Sequence, residues 1–215
     1  MSVLKNTRLE LKVCGMRDET NLQELISLSP DFIGMIFYSK SARFFNSEPI
    51  PLPKEIQKVG VFVDETFSEI IQAVMKHNLN VVQIHGNESD VYCSELKDFF
   101  PELKIWKVFS VGEDFDMGEL LNYHCVDAIV FDTKGKNYGG NGTKFNWEIL
   151  QDYPLQKDIV LSGGISIDDL PKIIEMKQRV PQIRIIDINS RFEIEPGIKN
   201  IKLVKEFSQK LKELQ

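Results

Sequence analysis

The chain of 215 residues carries 26 Lys and Arg against 32 Asp and Glu, a net charge of −6, and 42% of it is hydrophobic. That length holds one sizeable core and reaches the lower end for a (β/α)8 barrel, which needs at least about 200 residues. A mean hydropathy of −0.19 without a run of about 18 apolar residues excludes both a disordered chain and a membrane protein.

An isoelectric point near 5.2 with no basic cluster argues against nucleic acid as a partner. Residues 1–10 carry Lys5, Arg8 and Glu10 and lack the apolar core of a signal peptide. Cys14, Cys93 and Cys125 cannot all pair and show no CxxC spacing. They fit a reducing cytoplasm and make neither a disulfide framework nor a cysteine-based metal site.

Short β-branched apolar runs recur along the chain, each closed by a small or polar residue. The first four are Leu9–Cys14, Phe32–Phe37, Val59–Val63 and Val81–His85; the second four are Lys104–Val108, Ala128–Asp132, Asp158–Ser162 and Ile183–Ile188. Near-continuous apolar strands are expected where both faces of a parallel sheet are covered. Their ends are 23, 26, 22, 23, 24, 30 and 26 residues apart, the length of a βα unit. Helical patterns cover Asp18–Leu28, Thr66–Lys76, Ser89–Phe99, Ile167–Met176 and Ile201–Leu214. Eight strands with a helix after the last predict one α/β domain over 1–215, a closed (β/α)8 TIM barrel. Pro51 and Pro53 leave little room in the second crossover, so its helix is expected to be shortened or irregular.

Working residues of such barrels sit at the C-terminal strand ends and in the loops after them. Cys14 closes strand 1. It is either a small residue packed at a strand end or a general base, the latter if its thiol pKa falls from about 8.5 towards neutrality. Arg43, just past strand 2, is either a solvated loop residue or a fork for a substrate carboxylate. His85 closes strand 4 as a structural residue or a pocket donor. Asp132 closes strand 6, as a turn former or as a general acid if burial raises its pKa.

Gly139-Gly140-Asn141-Gly142 follows strand 6 as a flexible turn or a lid. Gly163-Gly164 follows strand 7 and Asn189-Ser190-Arg191 follows strand 8, where barrels often build a phosphate site from backbone N–H groups. Asp187 and Gly140 complete the expected pocket. His77 and His124 are isolated, and no His/Asp/Glu spacing suggests a metal.

Seven segments, in order from Lys12 onwards, resemble the phosphoribosylanthranilate isomerase family. They are Lys12-Val13-Cys14-Gly15, Phe37-Tyr38-Ser39-Lys40-Ser41-Ala42-Arg43, Val59-Gly60-Val61-Phe62-Val63 and Val82-Gln83-Ile84-His85-Gly86. Asp132-Thr133-Lys134, the glycine loop with Phe145 and Trp147, and Pro196-Gly197-Ile198-Lys199 complete the set. The resemblance implies a (β/α)8 enzyme of tryptophan biosynthesis, a monomer or homodimer, with no cofactor or metal and one small-molecule substrate.

Its implied reaction is the Amadori rearrangement of N-(5-phosphoribosyl)anthranilate to 1-(2-carboxyphenylamino)-1-deoxyribulose 5-phosphate. By the same resemblance Asp132 is the general acid, Cys14 the general base and Arg43 the carboxylate anchor. Gly163, Gly164, Asn189 and Ser190 hold the phosphate. The chain departs from the family pattern at Arg17, Ala42, Asn141, Asn146 and the Asn189-Ser190-Arg191 stretch. Arg191 either adds a charge to the phosphate site or turns outwards. Another phosphosugar isomerase or epimerase barrel, or a non-catalytic barrel binding a phosphorylated ligand, stands as the alternative.

Overall fold

The computed structural model describes residues 8–133 and 144–214. Each of the eight apolar runs is a strand: β1 (Glu10–Val13), β2 (Phe32–Ile36), β3 (Gln57–Phe62) and β4 (Val81–Ile84) in the first half. The second half supplies β5 (Lys104–Val111), β6 (Ala128–Thr133), β7 (Asp158–Leu161) and β8 (Ile183–Ile188). β8 returns to pair in parallel with β1, Lys12 beside Asp187, so the sheet closes in chain order.

Closure gives every strand two buried faces, which is why the runs are apolar almost throughout. Alternate side chains fill the interior, where Phe32, Val59, Val81, Trp106 and Ala128 plug the N-terminal half. The remaining residues of each strand meet the surrounding layer of helices.

Among the described residues, five α-helices belong to that layer: α1 (Glu19–Ile26), α2 (Phe67–His77), α3 (Asp90–Phe99), α4 (Leu170–Arg179) and α5 (Ile201–Glu213). Asp18, Thr66, Ser89 and Asn200 precede four of them, and each accepts a bond from the backbone N–H three residues on. Such caps satisfy an otherwise orphaned donor and fix where the helix begins. α5 closes the ring by burying Val204, Phe207 and Leu211 along one stripe.

The second crossover departs further from a helix than the sequence suggests. Residues 37–56 contain none; the Phe45 N–H bonds the Ile36 carbonyl at 2.7 Å, and the chain passes Pro49, Pro51 and Pro53 without regular structure before a turn in which the Ile56 N–H bonds the Pro53 carbonyl. Proline removes the N–H each helical turn requires, and Phe45, Ile50 and Ile56 cover the barrel instead. Among the described residues, the crossovers after β5 and β6 carry 3-10 turns, Met117–Asn122 and Trp147–Asp152, and no α-helix. Beyond β8 the chain adds a small hairpin, β9 (Glu193–Glu195) against β10 (Ile198–Lys199). Among the described residues no helix is long and apolar enough to cross a membrane.

Candidate active site

A cavity opens at the C-terminal ends of the strands, the place where such barrels carry their active sites. Cys14, Arg43, His85, Asp132, Gly163, Gly164, Asp187, Asn189 and Ser190 all line it, with Arg191 beside them. Of the expected pocket residues, Gly140 lies with the rest of the glycine loop outside the described residues.

Cys14 follows β1 directly, its N–H bonded to the Ile188 carbonyl at 3.0 Å. Its side chain fits because β2 places Gly34 opposite: a Cβ there would lie 2.7 Å from Sγ. Burial pushes the thiol up, while the ammonium groups of Lys12 and Lys199 oppose the rise. Burial thus opposes the thiolate and the two lysines favour it, in contrast to a thiol simply lowered towards neutrality.

Asp132 lies one residue inside the end of β6, and its Oδ1 accepts the Thr133 N–H at 2.9 Å. Burial pushes its carboxyl up to about 6, although the Thr133 bond and Lys12 pull the other way. His85 Nε2 stands 3.6 Å from Asp132 Oδ2. Burial, with Lys107 and Lys12 near, lowers the imidazole to about 4. Histidine is thus neutral wherever the carboxylate is ionised, and the contact is not one between two charges.

Arg43 is not a solvated loop residue. Its Nε donates to Glu193 Oε1 at 2.8 Å and its Nη2 to Oε2 at 2.6 Å. Burial would raise the Glu193 carboxyl, but Arg43 and Lys199 hold it below the usual range. Lys199 donates to Glu193 Oε1 and to Asn189 Oδ1, both at 2.7 Å.

Beneath the cavity Lys12 is wholly buried inside the barrel, donating to Asp187 Oδ2 at 2.7 Å and Gln83 Oε1 at 2.8 Å. Asp187 Oδ1 is buried with no hydrogen-bond partner among the described residues. Sequence reading passed over Lys12, Gln83, Glu193 and Lys199 as functional residues. Strand alternation offered a signal for the first, since Lys12 shares the inward face of Cys14 two residues on.

Beside Asp132, Gly163 and Gly164 adopt φ of +89° and +64°, the left-handed region that favours glycine. A Cβ on Gly163 would come within 2.8 Å of the Thr133 nitrogen. The Asn189 side chain is engaged by Lys199, and Ser190 opens a single 3-10 turn, Ser190–Phe192. Among the described residues no three His, Cys, Asp or Glu side chains are grouped to hold a metal ion.

The cavity thus combines a proton donor near neutrality, a thiol, an arginine and glycine-rich backbone within one enclosure. Comparison with known proteins finds relatives of the chain as a whole. The family model described as N-(5'phosphoribosyl)anthranilate (PRA) isomerase matches residues 11–210. The N-(5'-phosphoribosyl)anthranilate isomerase of Phocaeicola vulgatus is 36% identical over 204 residues, 94% of this chain and 98% of that one. The crystal structure of phosphoribosyl anthranilate isomerase from Thermotoga maritima superposes with a TM-score of 0.81 at 28% identity, covering 95% and 99% of the two chains. Another solved isomerase, in complex with reduced 1-(o-carboxyphenylamino)-1-deoxyribulose 5-phosphate, gives 0.76 at 27% identity and the same coverage.

Proposed function

The chain belongs to the N-(5'-phosphoribosyl)anthranilate isomerase family, and from that premise we propose how its barrel mouth carries out the isomerisation. The reaction is the Amadori rearrangement of N-(5-phosphoribosyl)anthranilate to 1-(2-carboxyphenylamino)-1-deoxyribulose 5-phosphate. It opens a furanose ring, which needs a proton on the ring oxygen, and then moves the C2′ proton, which needs a base.

Asp132 is the general acid. The assignment is carried by its place: it is buried at the end of β6 and lines the cavity. That burial raises its carboxyl to about 6, where an ordinary aspartate would hold almost no proton near neutrality. Protonation of the ring oxygen opens the sugar to a Schiff base. Cys14 is the general base that takes the C2′ proton, leaving an enolamine that tautomerises to the ketone. The base must be the thiolate, and Lys12 and Lys199 are the buried cations that favour it.

Two anchors fix the sugar between these groups. Arg43 meets the anthranilate carboxylate, and the backbone around Gly163-Gly164 and Asn189-Ser190 receives the phosphate, with Arg191 on the cavity wall beside it. Holding both ends converts two separate proton transfers into positioned ones. Every residue in this scheme comes from one protomer, so a monomer and a homodimer serve it equally. The three free cysteines fit a cytoplasmic enzyme.

The deciding assay follows purified protein with phosphoribosylanthranilate made in situ. Loss of the anthranilate-type fluorescence is expected. Binding without turnover would favour a phospholigand-binding barrel instead.

A further inference from the structure

An arginine at the mouth of this cavity faces a substrate with an anion at each end, and nothing about a guanidinium by itself selects the carboxylate over the phosphate. Arg43 and Asn189 are near neighbours: a Cβ on Gly15 would lie 2.7 Å from Arg43 Cδ and 2.8 Å from Asn189 Oδ1. A long, unrestrained side chain here has the phosphate loop within its reach.

We propose that Glu193 is a positioning residue that pins Arg43 side-on, leaving only the end-on edge of its guanidinium for the substrate carboxylate and keeping it off the phosphate end. The proposal rests on the assignment of Arg43 as the carboxylate anchor.

The geometry is specific. Glu193 takes the Nε and Nη2 edge with contacts of 2.8, 3.1 and 2.6 Å. Among the described residues the Arg43 side chain makes no other hydrogen bond. A guanidinium offers five N–H donors in a planar fork, so the Nη1 side and the outer Nη2 hydrogen stay available as a second bidentate seat.

Glu193 is itself held from three directions. Besides Arg43, its Oε1 accepts from Lys199 Nζ at 2.7 Å and from the Gly197 N–H at 3.1 Å, across the β9–β10 hairpin. Lys199 is fully buried, and the α1 residue Asn21 brackets its backbone, accepting from the N–H at 2.6 Å and donating to the carbonyl at 2.9 Å. Arg43, Lys199 and Glu193 together carry one net positive charge, which matches a single carboxylate. Glu193 thus acts through Arg43 and touches no substrate.

The test measures KM, kcat and inhibition by two fragments, anthranilate for the carboxylate end and inorganic phosphate for the other. Glu193→Gln should raise KM about tenfold with kcat within about threefold, the factor expected when binding rather than chemistry is lost. It should weaken anthranilate inhibition by the same factor and leave phosphate inhibition no weaker. In an Arg43→Ala background Glu193→Gln should add nothing.

Equal weakening of both inhibitors, a fall in kcat at unchanged KM, or a full additional effect on Arg43→Ala would each overturn the proposal. An Arg43→Ala variant with unchanged KM and anthranilate inhibition would remove the anchor assignment itself, a separate result. Glu193→Asp keeps the charge but falls one methylene short of the side-on seat, so it covers the case in which the Gln variant does not fold. It should show the same split between the two inhibitors, and unchanged kinetics in it would sink the idea.

Discussion

Gly34 and Cys14 face each other across the β1–β2 pair so closely that one methyl group on Gly34 would sit 2.7 Å from the cysteine sulfur. The space occupied by the thiol is therefore set by the absence of a neighbouring side chain. Gly34→Ala should displace Sγ by a fraction of an ångström to about 1 Å and reduce turnover on the order of 10²-fold. Circular dichroism should stay native; wild-type turnover in a folded Gly34→Ala variant would contradict the placement.

Cys14→Ala and Asp132→Asn remove one proton-transfer group each, a change worth about 10²–10⁴-fold in rate for each step. Both variants should keep the fold and still bind product, because neither residue anchors the carboxylate or the phosphate. Full activity in either one would refute its role.

The Asp132 carboxyl should titrate near 6, two units above its ordinary value of 3.8. Carbon-13 NMR, with Asp132→Asn to assign the resonance, reads this directly; a midpoint near 4 would remove the case for a general acid. Unfolded, the carboxyl ionises near 3.8, whereas the folded protein keeps the proton to about 6. Stability is therefore lost as pH rises from about 4 to about 6 and stays lower above that. Asp132→Asn, neutral throughout, should match wild type near pH 3.5 and exceed it at pH 8 by about 1–3 kcal/mol in denaturant unfolding. An active site that is destabilising at working pH is the usual form of the trade between activity and stability.

Lys12 and Asp187 form a buried pair at 2.7 Å, with side-chain exposures of 0% and 5%. Lys12→Met leaves the Asp187 carboxylate without its cation and should cost about 3–5 kcal/mol in urea unfolding. Lys12→Met/Asp187→Asn should recover much of that loss, since it removes the stranded charge. Equal costs for the single and double variants would show that the pair is not coupled.

Much of this was readable from residue order. Eight apolar runs at βα spacing gave the closed sheet, and the helical patterns that open at Asp18, Thr66 and Ser89 begin on the residues that cap α1, α2 and α3, because capping is local chemistry. Cys14, Arg43 and Asp132 could be singled out because strand ends converge in a barrel. The supporting ion pairs were hidden by distance along the chain: Lys12 is 175 residues from Asp187, and Arg43 is 150 from Glu193. Lys199 stood in a recognised segment, yet a lysine in sequence reads as solvent-facing, and only the fold shows it enclosed. The second crossover was misjudged in degree, since Pro49, Pro51 and Pro53 exclude a helix altogether rather than trimming one.

The plug in the lower half of the barrel has a kinetic consequence. Phe32 and Trp106 meet edge to face at 5.1 Å, with Val59 and Val81 packed around them in the same interior cluster. The cavity above therefore has a packed floor. Nothing can pass through the barrel below, so substrate and product share one site above that floor, and the product is expected to inhibit competitively.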